Sequence, residues 1–257
     1  MMQSNRVKAM LAQGQATVGS WLGLGCPEVA EIMANVGFDW LVVDTEHGPM
    51  DFEKAQAMLQ AMNGTQTVPM LRVAWNDPVL IKRALDIGAM GLVIPLVTNR
   101  EEAELAVRAA RYPPQGIRGI GVGRAHGYGL QFKQYIEAAN REIMVVVQIE
   151  DIEAVRNIED IVSVEGIDAL FIGPLDLSGS MGFVGQVDPL PANVVEAVDQ
   201  VIKAAKRAGM PLGIWVGSPE AANERIAQGF QFVGLGLDCV ILGMACQEML
   251  SRVKRTP

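Results

Sequence analysis

Two short apolar runs in this chain each stop at a carboxylate. Val145-Val146-Val147-Gln148-Ile149 runs into Glu150, and Phe171-Ile172-Gly173-Pro174-Leu175 runs into Asp176. If both runs are strands of one parallel sheet, the two acids meet at one rim. Two hard oxygen donors, completed by waters and substrate oxygens, suit an octahedral divalent ion such as Mg²⁺, Mn²⁺ or Co²⁺ rather than a closed zinc centre. Glu150 taken alone reads as an acid favoured by the dipole of a helix starting at Asp151. A second acid ending a second strand turns that reading toward a metal site. Cys26, Cys239 and Cys246 have no metal-type spacing and do not compete.

Other chemistry-bearing residues also close apolar runs. His47 follows Asp44 by three residues in a short loop closed by Gly48-Pro49, where a carboxylate is available to orient an imidazole, and it is the candidate acid or base. Arg72 stands in Met70-Leu71-Arg72-Val73 and needs an anion there. Asp44 or Glu46 of the protein fits, and so does a substrate carboxylate or enolate. Asp86, late in a helical stretch, reads as a solvated or interface carboxylate, and His126 in a glycine-rich loop reads as structural. Trp21 and Trp215 close the first and seventh runs. Lys8, Lys54, Lys82, Lys133, Lys203, Lys206 and Lys254 fall on the N-terminal segment or on helical stretches, so a Schiff-base route has no strand-end nucleophile. A metal, an arginine and a histidine point instead to enolate formation, with the cation and Arg72 holding the developing oxyanion while a base moves a proton.

Positioning these groups requires a frame that brings many strand ends together. Apolar runs of strand length lie at 17–22, 39–44, 69–74, 90–95, 143–149, 168–172, 211–216 and 231–235, with helical patterns between them at 27–35, 52–62, 78–87, 100–110, 193–208 and 219–227. Several helices open at Asn, Asp, Ser or Pro, as capping requires. Runs such as Leu41-Val42-Val43 are apolar on consecutive residues, so both faces of the sheet are covered. Eight such strands alternating with helices predict one (β/α)8 barrel domain over residues 1–257, with its active site at the C-terminal ends of the strands. An open doubly wound sheet is the alternative, but no Gly-x-Gly-x-x-Gly follows the first strand. The stretch 112–130 is irregular. Its Gly119-Ile120-Gly121-Val122-Gly123 lacks the Lys-Ser/Thr ending of a phosphate loop and reads as a flexible loop, with no nucleotide implied. The tail at 240–253 reads as a final apolar helix suited to packing on another subunit.

Composition limits the partners. With 29 acidic and 21 basic residues the chain carries a net charge of −8, which argues against nucleic acid or an anionic membrane as partner, and half of its 257 residues are hydrophobic, ample for a buried core. The odd cysteine count argues against a disulfide framework and for a cytoplasmic setting. The polar N-terminus and the absence of a ~20-residue apolar run argue against export or membrane insertion.

Val43-Asp44-Thr45-Glu46-His47-Gly48-Pro49, Leu71-Arg72-Val73, Gln148-Ile149-Glu150 and Phe171-Ile172-Gly173-Pro174-Leu175-Asp176-Leu177-Ser178 resemble the HpcH/HpaI aldolase family, in order and over nearly the whole chain. The resemblance implies a metal-dependent class II pyruvate aldolase on a pyruvate-binding barrel. It implies that Glu150 and Asp176 hold the ion, that Arg72 contacts the keto oxygen, and that His47, supported by Asp44, transfers protons. Gln148 would line the pyruvate site, and backbone around Gly173, Pro174 and Leu175 would receive the substrate carboxylate, with Leu175 donating because proline has no N–H. The family position matching Leu175 is usually smaller. Trp21 and Trp215 would flank the pocket, and the final helix would be exchanged within a hexamer, a trimer of dimers. The expected reaction is reversible cleavage of a 4-hydroxy-2-oxo acid to pyruvate, or hydroxypyruvate, and an aldehyde. A citrate-lyase-like enzyme acting on a CoA thioester and a non-catalytic keto-acid binder are the alternatives.

Overall fold

Strands that are apolar on every residue need cover on both faces, and the chain supplies it with a ring of helices outside and interlocking side chains inside. The computed structural model describes residues 4–186 and 189–254. Among these, eight strands close into a parallel barrel in chain order: β1 (Thr17–Leu22), β2 (Trp40–Asp44), β3 (Val68–Arg72), β4 (Gly91–Ile94), β5 (Met144–Ile149), β6 (Ala169–Ile172), β7 (Leu212–Val216) and β8 (Phe232–Leu237), with β8 pairing back onto β1. Each starts and ends within about two residues of the apolar run that predicts it.

The helices are α1 (Arg6–Ala12), α2 (Pro27–Val36), α3 (Phe52–Ala61), α4 (Pro78–Asp86), α5 (Arg100–Ala110), α6 (Phe132–Glu142), α7 (Ile152–Arg156), α8 (Ile158–Val162), α9 (Pro174–Ser180), α10 (Ala192–Ala208), α11 (Pro219–Ala227) and α12 (Asp238–Ser251). Their starts follow cap chemistry. Asp77 accepts the N–H groups of Val79 and Leu80 ahead of Pro78, and Asp51, Asn99 and Ser218 cap α3, α5 and α11 in the same way. Helices α1, α6, α7, α8 and α9 are additions to the sequence reading. Helix α6 buries Tyr135 and Ala139 and packs Ile136 against the core, and it is as amphipathic as α10 although the sequence reading passed over it.

The barrel interior is a jigsaw of large rings facing glycines. Trp40 stacks on Phe232 with centroids 3.9 Å apart, and Trp21 meets Trp40 edge-on at 5.4 Å. A Cβ on Gly19 would lie 2.0 Å from the Trp40 ring, and one on Gly234 would lie 2.5 Å from Trp21, so the strands supply glycine where the indoles need volume. Trp40 donates its indole N–H to Thr17 Oγ1 at 3.2 Å. Val7 and Leu11 of α1 join this inner cluster.

The 112–130 stretch is irregular apart from a short 3₁₀ turn, Arg124–His126, but it is not a free loop. Arg118 and His126 anchor it in the core, while Gly119–Val122 between them is exposed. Asp86 is the anchor's partner: its Oδ1 accepts from Arg118 Nη2 at 2.8 Å while its side chain stays 29% exposed, an ion pair that the sequence reading did not foresee. Among the described residues no helix is long and apolar enough to cross a membrane.

Candidate active site

At the C-terminal ends of the strands a cavity of about 420 Å³ opens, and its wall divides by chemistry. The polar arc comes from β2, β3, β5 and the start of α9: Asp44, His47, Arg72, Gln148 and Asp176. The apolar arc runs from β6 through β7 and β8 to β1: Trp21, Phe171, Leu175, Trp215, Leu237 and Val240. The seven lysines lie on α1, α3, α4, α6 and α10 and after α12, and none borders the cavity among the described residues.

Arg72 organises the polar arc. Asp44 and Arg72 are directly opposed in the β2–β3 register, so a fork-to-fork pair spans the two strand ends, with Nε to Oδ1 at 2.9 Å and Nη2 to Oδ2 at 2.6 Å. Nη1 lies 3.0 Å from Glu46 Oε2. Burial opposes the guanidinium's charge, but the hydrogen bonds and charge of Asp44, with Glu46 and Glu150, outweigh it and raise its pKa further. The sequence reading left Arg72 a choice between protein and substrate anions. In the structure two protein carboxylates hold it, with its head at the cavity wall.

That geometry corrects the role expected of Asp44. Its Oδ1 accepts the backbone N–H groups of Glu46 at 3.1 Å and His47 at 3.3 Å, which shapes the loop, but it does not bond the imidazole. The acid nearest the His47 ring is Glu46, with Nε2 to Oε2 at 3.9 Å, and the ring is two-thirds exposed.

Glu150 is nearly sealed, and its carboxyl is pushed up to about 7 by burial first, then by the negative charges of Glu46 and Asp176. The Leu96 N–H and Arg72 pull the other way. Leu96 donates to Oε1 at 2.8 Å from a left-handed backbone, φ 55°, an unusual conformation for leucine that aims its N–H at the acid. Gln148 Nε2 donates to the other oxygen, which leaves Gln148 Oε1 buried without a partner. Gly173 makes room for this pair. A Cβ there would lie 2.9 Å from Glu150 Cβ and 3.2 Å from Gln148 Nε2, and its own N–H goes to Ile149 O at 3.1 Å. Gly173 therefore contributes space rather than a free donor. The free amides of the first helical turn begin at Leu175, after Pro174.

These residues fit a divalent cation. Glu46, Glu150 and Asp176 act on one another as like charges, and an oxygen of Gln148 lacks a donor beside them. A hard cation relieves that excess and accepts those oxygens. Among the described residues no three His, Cys, Asp or Glu side chains are grouped to close around a metal, so an ion here would take much of its coordination from water and substrate.

The apolar arc is part core and part wet surface. Trp21 is buried against Phe171, with centroids 4.8 Å apart, so it serves barrel core and cavity floor together. Trp215 is tied down by its indole N–H to Gly236 O at 3.0 Å. Leu175 and Val240 are exposed, at 54 and 43%.

A model of the HpcH/HpaI aldolase/citrate lyase family matches residues 17–243. The chain belongs to this family. A 4-hydroxy-2-oxo-heptane-1,7-dioate aldolase from Shigella flexneri is 41% identical over 250 residues, covering 96% of this chain and 92% of the relative. Among solved structures, an HpcH/HpaI aldolase/citrate lyase family protein from Burkholderia cenocepacia J2315 superposes with a TM-score of 0.92 at 34% identity, covering 96% of this chain and 98% of its own. The citrate synthase SbnG superposes with a TM-score of 0.85 at 30% identity, covering 95% of each chain. Within the HpcH/HpaI family the chain is a carbon–carbon lyase of the class II aldolase type, and the family depends on a divalent metal.

Several residues of this HpcH/HpaI site escaped the sequence reading. Glu46 was considered only as a possible anion for Arg72, not as an acid beside Glu150 and Asp176. Its signal was its place two residues beyond Asp44, in the loop that leaves the end of β2. Phe171 lay inside a run read only as a strand, and Leu237 and Val240 fall at the β8–α12 junction. Leu96 carries no local signal, because nothing in its sequence neighbourhood marks a left-handed leucine.

Proposed function

We propose that this chain cleaves 4-hydroxy-2-oxo acids to pyruvate, or hydroxypyruvate, and an aldehyde, and runs the reverse condensation, with Mg²⁺, Mn²⁺ or Co²⁺ held by Glu150 and Asp176 and without a Schiff-base lysine. The observation that carries the reading is the convergence of Arg72 and Asp176 on one cavity, with Glu150 buried behind its wall and within reach of the charge of both. A divalent ion at those carboxylates supplies a Lewis acid for the carboxylate and keto oxygens of the substrate. Arg72, fixed by its fork on Asp44, offers guanidinium N–H groups to the keto oxygen as its negative charge develops, and because both arms of the fork are held, little reorganisation accompanies the reaction. Gln148 lines the keto-acid side. The Leu175 amide, free in the first turn of α9, receives the substrate carboxylate.

His47 takes the C4 hydroxyl proton as the C3–C4 bond breaks and returns a proton to C3 of the enolate. Its exposure at the mouth suits a group that exchanges protons with solvent, and Glu46 Oε2 lies 3.9 Å from its Nε2. The aldehyde leaves along the apolar arc. The exposed apolar residues Ile241, Leu242, Met244, Met249 and Leu250 give α12 a surface for a second subunit, and we assign it to a homo-oligomer, a hexamer built as a trimer of dimers. A cytoplasmic protein without nucleic-acid or membrane partners completes the reading.

The test is pyruvate release from a series of 4-hydroxy-2-oxo acids with each metal, then after chelation. Release that chelation abolishes and added metal restores is expected. No release from any substrate with any of the three metals would overturn the reading.

A further inference from the structure

We propose that Asp238 is a positioning residue for the aldehyde half of the site. It clips the exit of β1 to the start of α12 and so fixes Trp21 and Leu237, which border the cavity on either side of the β8–β1 seam. The inference rests on the aldolase reading and adds to it a residue that touches no substrate.

Three observations carry it. First, the seam is irregular where the cavity begins. The β1–β8 register shifts between Gly19 and Trp21, and Gly236 takes a left-handed φ of 72° just before Leu237. An irregularity of this kind re-aims a strand, so the ladder alone does not fix where β8 ends. Second, side chains supply the cross-links that the ladder lacks. Ser20 Oγ and Trp215 Nε1 both donate to Gly236 O, at 3.2 and 3.0 Å. Asp238 Oδ1 accepts the Gly23 N–H at 2.8 Å and the Cys239 N–H at 2.7 Å, and Oδ2 accepts the Leu24 N–H at 3.0 Å. Third, Asp238 is only 4% exposed, although it stands in the first turn of α12, where the helix dipole and solvent ordinarily suffice for an acid. Two of its three bonds reach residues 215 and 214 positions away in the chain. It therefore joins two segments rather than merely starting a helix, and charge-assisted bonds make that join stiff.

Trp21 and Leu237 lie on those two segments and are paired across the seam. Gly23 packs into the same corner, where an added Cβ would lie 3.3 Å from Leu237 Cδ1. The keto-acid side is held separately: Arg72 on β3 and Glu150 beyond β5 take their bonds from Asp44, Glu46 and Leu96, on strands that do not adjoin the seam. Loosening the seam is therefore felt by the aldehyde and not by the enolate.

The experiment follows condensation of pyruvate with butanal on the metal-loaded enzyme, and in parallel the exchange of pyruvate C3 protons with D₂O, which needs no acceptor. Asp238→Ala is expected to lower kcat/KM for butanal by about tenfold, less than the ~10²-fold cost of a 1 Å misplacement, while exchange and the KM for pyruvate stay within about twofold. Asp238→Asn keeps one oxygen for two of the three amides and is expected to fall between Asp238→Ala and the unmodified protein. Ser20→Ala, on β1 rather than α12, removes another bond to the same corner and is expected to show the same split at smaller size. It carries the test if the Asp238 variants fail to fold or assemble. An unchanged kcat/KM for butanal in the folded variants overturns the proposal. So does exchange that falls in step with condensation, which would make Asp238 a support of the whole barrel. Absence of exchange in the unmodified enzyme defeats the aldolase reading itself, and this proposal with it.

Discussion

The chain has two histidines, and each sits near a buried arginine paired with an aspartate, yet the two groupings have opposite character. At the barrel mouth, Asp44, Arg72 and His47 border a cavity, and Arg72 answers to both Asp44 and Glu46, with Glu150 and Asp176 adding charge nearby. On the flank, Arg118 is sealed between tyrosine rings, 4.4 Å from the centroid of Tyr112, and donates to Tyr135 Oη at 3.1 Å and to one carboxylate, Asp86. His126 is completely buried, stacked on Phe132 and 3.2 Å from the Tyr112 hydroxyl, and burial with the Arg118 charge lowers its pKa and keeps it neutral. Residue types do not separate the two groupings. Charge balance and access do: the flank is closed with one acid per cation, whereas the mouth opens on a cavity and gathers more carboxylates than cations, Asp176 on its wall and Glu46 and Glu150 behind it.

Arg72→Lys breaks the contrast most sharply. The charge stays while the fork is lost, so kcat is expected to fall by about 10³-fold, the scale of removing a preorganised donor from an oxyanion, with the melting temperature little changed. Steady-state kinetics beside thermal unfolding separate the two effects.

Arg118→Met does the reverse. Loss of the cation and its ring contacts is expected to cost about 3 kcal/mol of stability, read from denaturant midpoints, with kcat/KM of the folded enzyme within about twofold of the unmodified protein. A large loss of activity at full folding would show that the flank takes part in the chemistry.

A third test concerns the surplus acid. The Glu150 carboxyl titrates near 7 in the folded protein against an ordinary 4.5, so between those values the metal-free folded state binds a proton that the unfolded chain has released. Metal-free stability is therefore highest at the acid end of that window and declines as pH rises through it. Metal-free Glu150→Gln escapes the decline and is expected to be more stable by about 2 kcal/mol at pH 8, with the gain vanishing near pH 4.5. A variant less stable at pH 8 would show that the buried charge is fully compensated without metal. Smallest is His126→Gln, which is expected to cost about 1 kcal/mol of stability and to leave the pH–rate profile where it was.

Much of the frame was legible because its determinants are local. Leu41-Val42-Val43 and Val145-Val146-Val147 declare doubly covered strands by consecutive apolar residues, and Asp77-Pro78 declares a helix start. The site was legible as far as strand ends could be counted. The pairing of Asp44 with Arg72 was legible only as one of several possible anions for the guanidinium, because choosing it depends on β2–β3 register, and residues 28 apart do not announce that they are opposed. The Asp86–Arg118 pair, which joins a helix to an irregular stretch, was not legible, nor was the Leu96 N–H, whose direction depends on one backbone angle.

The central claim is that the acids at the mouth hold a metal that makes pyruvate's C3 protons labile, and proton exchange tests it without any aldehyde. Pyruvate in D₂O is followed by NMR with the metal-loaded enzyme, the chelated enzyme and metal-supplemented Asp176→Asn. The account predicts rapid loss of the methyl signal in the first and essentially none in the other two. Exchange that persists after chelation, or undiminished in Asp176→Asn, contradicts it.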